Sequence, residues 1–159
     1  YSIDAMQLLA AAVWNRRISD RLDLQYGLCG DHRFGDYRIY PVITSTWRVH
    51  PDWTVEIGFP VSQITHRFSQ SLTSLLRIAP NGNEWFVKDK SLTQHSQLIY
   101  EAYVLEWTLN WRAGKHLALT AGLGRDFHRR YEMTLLDETR VRLSADAATR
   151  IGVNLGWYF

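Results

Sequence analysis

The sequence predicts an all-β protein, an antiparallel up-and-down transmembrane β-barrel of about 8–10 strands. Three observations carry that prediction. Apolar and polar residues alternate in segment after segment, tryptophan recurs beside short turns, and the last alternating run closes on phenylalanine. Successive side chains of a strand point to opposite faces, so strict alternation marks half-exposed strands. Residues 151–159 set Ile151, Val153, Leu155, Trp157 and Phe159 against Gly152, Asn154, Gly156 and Tyr158. Residues 103–111 set Tyr103, Leu105, Trp107, Leu109 and Trp111 against Val104, Glu106, Thr108 and Asn110. The same division holds over 53–61 (Trp53, Val55, Ile57, Phe59, Val61) and 22–28 (Leu22, Leu24, Tyr26, Leu28).

In chain order the pattern predicts strands over 5–14, 20–29, 37–49, 53–67, 71–79, 84–88, 95–111, 116–134 and 140–159. The first is rich in Ala and Leu and also suits a short surface helix. Three stretches share one shape, a strand ending in Trp, a polar turn, then a strand closing on Gly and an apolar residue. They run from Trp14 to Gly27-Leu28, from Trp47 to Gly58-Phe59 and from Trp111 to Gly122-Leu123, with turns at 15–20, 48–52 and 112–116. Alternating strands joined by short turns are β-hairpins. Trp14, Trp47, Trp53, Trp111, Trp157 and Phe159 then form an aromatic girdle of the kind found at a membrane interface. Connections at the other end are longer and polar, at 30–36, 126–130 and 137–140, and Asn81-Gly82 suits a type I′ turn.

The chain has 159 residues, one domain's worth (1–159), with 46% apolar content, seven Trp and eight Tyr. That apolar share excludes disorder. A net charge of +2, with no run of four basic residues, argues against nucleic-acid binding. No apolar run approaches the roughly 20 residues of a membrane-spanning helix. The single Cys29 excludes an internal disulfide.

Alternation alone does not say which face meets water. The apolar set is heavy in Trp, Tyr, Leu and Phe, and the opposite set mixes Gly, Ala, Thr and Asn with isolated charges. That suits an apolar exterior in lipid and a polar lumen, where closure leaves no backbone group unpaired. Arg38, Arg48, Glu56, Glu106, Arg142 and Arg150 share the lumen parity. Charges of both signs would pair there, giving a plugged lumen, whereas one sign would suggest a selective pore. Arg125, Arg129, Arg130 and Arg140 fall toward the outer rim, as lipopolysaccharide phosphate contacts or as a solvated loop. Single-chain barrels have even strand numbers, so nine strands mean either that one of these assignments is wrong or that at least one strand precedes Tyr1.

Catalytic chemistry finds little support. An acyl hydrolase or transferase acting on lipopolysaccharide needs a Ser activated by a His. His95 and Ser96 are neighbours and point to opposite faces, while His66 and Ser69 near a turn, with Glu101 as orienter, read better as structural. The six His lack metal-ligand spacing, and no cofactor is expected. The expected role is a structural, scaffolding or narrow-channel protein, in an outer-membrane complex. A lipid-modifying enzyme and a soluble ligand-binding barrel are the alternatives.

The motifs Asp36-Tyr37-Arg38-Ile39-Tyr40-Pro41, Trp47-Arg48, Pro51-Asp52-Trp53-Thr54, Gly58-Phe59-Pro60 and Arg129-Arg130-Tyr131-Glu132, with the terminal Phe159, carry a family resemblance. Over 36–159 the chain resembles uncharacterised Gram-negative outer-membrane β-barrel proteins that share a domain of unknown function. The resemblance implies a barrel in the outer membrane, with further strands upstream, and supplies no catalytic residues. It implies outer-membrane lipids and lipopolysaccharide as surroundings. The alternating run ending on Phe159 is similar to the signal read by the outer-membrane insertion machinery.

Overall fold

The computed structural model describes residues 8–88, 95–134 and 139–157. They form eleven strands in one antiparallel sheet, with no helix among the described residues. β1 (Ala10–Ser19), β2 (Leu22–Phe34), β3 (Asp36–His50), β4 (Trp53–Phe59) and β5 (Ser62–Arg67) follow one another as hairpins. β6 (Leu72–Pro80) and β7 (Asn83–Lys88) are collinear, because both lie along the same side of β8 (His95–Ala113). β9 (Leu117–Thr134) pairs with β8 and, on its other side, with β10 (Arg140–Ala145) and then β11 (Ala148–Trp157). The eleven strands therefore occupy nine positions across the sheet.

β1 and β11 are the two edges, and both descend toward the end that carries the turns at Asp20-Arg21, Pro51-Asp52 and Gly114-Lys115-His116. No ladder joins them among the described residues, so the sheet is open rather than closed into a barrel.

Several elements differ from the sequence expectation. β1 continues to Ser19, so 15–19 are strand rather than turn, and Trp14 stands mid-strand opposite Tyr26. The expected single strand over 53–67 is a hairpin. Pro60, which has no N–H to give to a ladder, follows a cis peptide after Phe59 and ends β4. The final expected strand is interrupted at Asp146-Ala147. Expectations about 1–7, 89–94, 135–138 and Tyr158-Phe159 lie outside the described residues.

The two faces differ sharply in chemistry. Leu22, Trp47, Val55, Ile64, Leu76, Trp107, Leu123 and Ile151 are register partners on consecutive positions and make one apolar row across the sheet. This face is uncovered: Leu105 and Trp107 are each 46% exposed, Val153 72% and Leu155 68%. The opposite face carries the polar residues, and Asp23, Gln25, Glu56 and Glu106 there are half-buried. The sheet curls with its polar face inward. Tyr40, Ala79, Ala102 and Val104 are the buried apolar side chains among the described residues.

Those four lie toward the long-loop end, where the β2–β3 tip packs on β6, β7 and β8. Phe34 stacks on Phe59, and Tyr40 meets both rings edge-on while its hydroxyl donates to Asp31 at 2.9 Å. His32 Nδ1 lies 2.8 Å from a Glu84 carboxylate oxygen. Gly35, with φ of 98°, sits against Ile99 and Glu101, and a Cβ on Gly82 would lie 2.2 Å from the Gly35 nitrogen. Gly82→Ala is therefore expected to lift the tip. Amide exchange over 30–38 should accelerate about tenfold while β8–β9 protection below the tip is kept. Unchanged exchange over 30–38 would refute this packing.

Candidate functional site: the inward polar face

On the inward face, Arg17, Asp23, Thr46, Glu56, Gln63, Arg77, Glu106, Gly124 and Arg150 are successive register partners, one per position. Alternation creates this row: each member is the chain neighbour of an apolar outward residue, as Glu106 is of Trp107. Charges of both signs fall within reach of each other and pair. Glu106 accepts from Arg77 at 2.5 Å and lies 3.6 Å from Arg150, which also lies 3.7 Å from Asp126. Arg48 pairs with Asp23 from one step down β3, and Gln63 donates to Glu56 at 2.7 Å. Asn15 accepts from Gln25, and Asn110 from Thr120. Arg48, Glu56, Glu106 and Arg150 share this inward face, and Asp23, Gln63, Arg77 and Asp126 join them. The alternation of β2, β5, β6 and β9 held the signal for these four, since each shares parity with its strand's polar set.

Arg150 reaches Glu106 by crossing β9 over Gly124, where a Cβ would come within 2.9 Å of its Nε and 3.2 Å of its Cγ. Gly124→Val is expected to displace Arg150 and cost about 1 kcal/mol, the scale of partly exposed ion pairs. Chemical denaturation checks this, and a variant as stable as the parent would refute it.

Arg142 belongs elsewhere, and Arg38 keeps the face of Thr44 and Thr46 on β3 but stands at the long-loop end. β9 carries one extra residue against β8 between Phe127 and Arg130, with His128 at φ 54°, and the opposing β10–β11 strand breaks at the same level. Alternation slips by one there, so Arg142 and Arg150 share parity in sequence but not a face. Tyr100, on the inward side, donates to Asp126 at 3.4 Å. Arg130 and Glu132 stand opposite Glu101 and Ile99, on the other side of the sheet, and Arg142 pairs with Glu132 at 2.6 Å. Arg38 binds Asp36 at 2.5 Å and Glu101 at 2.7 Å. The result is a cleft of about 580 Å³ at the long-loop end, lined by Arg38, Glu101, Arg130, Glu132, Arg140 and Arg142 among others.

The four rim arginines divide. Arg130 and Arg140 line this cleft. Arg125, between Leu105 and Thr149, lies on the apolar face. Arg129 is occupied, donating to the Asp146 carbonyl at 2.9 Å and the Tyr131 hydroxyl at 2.7 Å, with its guanidinium over the Tyr131 ring. Of the expected girdle, Trp47, Trp53, Trp111 and Trp157 stand near the short turns, Trp14 stands higher, and Phe159 is outside the described residues.

Nucleophile chemistry finds no geometry in the pair considered above. His66 stacks on Trp53 at 4.1 Å and meets Phe68 edge-on, while the Ser69 hydroxyl bonds that of Ser71. The side chain of His95 lies outside what is described. No group of three or more potential metal ligands occurs among the described residues.

The sequence profile of DUF6268, a domain of unknown function, matches residues 2–142. The chain belongs to the DUF6268 family. No curated protein and no solved structure matches it. The DUF6268 span takes in β1 through the first residues of β10, and with them every member of the charge row except Arg150. It also takes in all four arginines of the cleft.

Proposed function

We propose that this DUF6268 protein is a Gram-negative outer-membrane β-barrel protein, the described open sheet forming the curved wall of a barrel with a plugged polar interior, and that it acts as a structural, scaffolding or narrow-channel element of an outer-membrane complex. The inversion of its two faces is the observation that carries the reading. A water-soluble domain shelters Leu, Ile and Trp and exposes charge. Here Trp47, Trp107, Leu123 and Ile151 of the apolar row stand open, whereas Asp23, Glu56 and Glu106 of the opposite row are half-buried and Glu106 is shared by Arg77 and Arg150. Acyl chains solvate such an exterior, and the ion pairs offset the cost of bringing charge into a narrow lumen. Delivery by the insertion machinery through the closing strand fits the alternation of β11.

Intrinsic tryptophan fluorescence tests the reading. In vesicles of phosphatidylcholine with brominated acyl chains, emission is expected to be strongly quenched, since Trp107 and Trp47 would touch lipid. Folding without detergent, together with unquenched emission, would overturn it. In a planar bilayer the plugged interior predicts no steady ohmic current, and a stable current would refute the plug.

A further inference from the structure

We propose that the cleft between the β2–β3 tip and β8–β10 binds phosphate monoesters carried on sugars, the chemistry shared by the lipopolysaccharide headgroup and free sugar phosphates. The lipid source rests on the membrane reading above; the phosphate chemistry does not.

Charge balance is the first argument. Arg38, Arg130, Arg140 and Arg142 line the cleft against Asp36, Glu101 and Glu132. The carboxylates are unevenly shared. Asp36 and Glu101 both hold Arg38, at 2.5 and 2.7 Å, and Glu132 holds Arg142 at 2.6 Å. Arg140 is only within 3.8 Å of Glu132, and Arg130 makes no ion pair among the described residues. Glu101 stands directly opposite Arg130 on β8, yet its carboxylate is turned to Arg38. Two guanidiniums are thus held in place by acids while two keep donors to spare. The lining carries one net positive charge, and a phosphate monoester, anionic near neutral pH and with three acceptor oxygens, can take the spare donors of both Arg130 and Arg140.

Geometry is the second. Guanidinium forks suit phosphate oxygens bidentately. Arg130 and Ser144 are direct cross-strand partners, and Arg142 and Glu132 are the next pair along the same face, so guanidinium and hydroxyl donors converge from β9 and β10. A volume of about 580 Å³ leaves room for a sugar beside the phosphate. Of the four arginines that sequence offered for this role, only Arg130 and Arg140 reach the cleft, and Arg38 and Arg142 complete it.

The test uses the full chain in detergent micelles. Binding is measured for diphosphorylated lipid A, for lipid A stripped of both phosphates, and for glucose 1-phosphate. The parent is expected to bind the phosphorylated lipid at least tenfold more tightly than the stripped one. Arg130→Gln with Arg140→Gln should lose most of that preference, whereas Arg125→Gln should keep it; circular dichroism confirms that each variant retains its strands. Effective competition by glucose 1-phosphate would identify a soluble ester as the ligand, and failure to compete a lipid. Equal binding of both lipids without uptake of glucose 1-phosphate, or a double variant indistinguishable from the parent, would overturn the proposal. Should the chain prove soluble without detergent, Arg130-dependent binding of glucose 1-phosphate still decides this proposal separately from the membrane reading.

Discussion

Leu123→Arg is expected to lower the unfolding free energy of the protein in phospholipid vesicles by about 2–4 kcal/mol, the cost of an arginine on the lipid face near the bilayer midplane. Leu123 lies between Trp107 and Ile151 in the middle of the apolar row and is 47% exposed, so the substitution meets no steric obstacle. Its cost reports the medium alone. On a face turned to water the same change would fall within about 0.5 kcal/mol. Reversible guanidinium titration of the vesicle-inserted protein supplies the measurement, and a near-neutral result would remove the lipid assignment of this face.

Glu106→Gln is the second large effect, expected to cost about 1–3 kcal/mol. Glu106 is the shared acceptor of Arg77 and Arg150, and the Arg77 Nε is already buried without a hydrogen-bond partner. Neutralising the carboxylate leaves two cations facing each other across β8 and β9. The cost is set below that of a fully buried pair because both arginines are partly exposed. Adding Arg77→Gln should recover part of the loss, with a coupling energy of about 1 kcal/mol in the double-mutant cycle. Strictly additive costs would mean that the row is a coincidence of register rather than a network.

Much of this architecture is written in the alternation of the chain. Trp107 beside Glu106 and Ile151 beside Arg150 fix which residues share a face, because a strand has no other way to place its neighbours. Period two carries no information about where its own phase breaks. The expected strand over 53–67 missed the hairpin because Phe59 and Val61 continue the parity of Trp53. Pro60 was the legible warning, being unable to donate within a paired strand. The slip at His128 and at Asp146-Ala147 left no such mark. It moved Arg142 across the sheet from Arg150 and hid the cleft, whose members come from four strands distant in sequence. Arg129 and Arg130 are adjacent letters with opposite fates, one tied to Tyr131 and the other left facing the cleft. Only the three-dimensional register separates them.

The equal heading of β1 and β11 has a directional consequence. A strand climbing away from the short turns would meet either rim in antiparallel fashion, whereas one of opposite sense would meet it in the slanted, slightly weaker parallel pattern. The two rims of this sheet thus favour the same direction in any strand added to them.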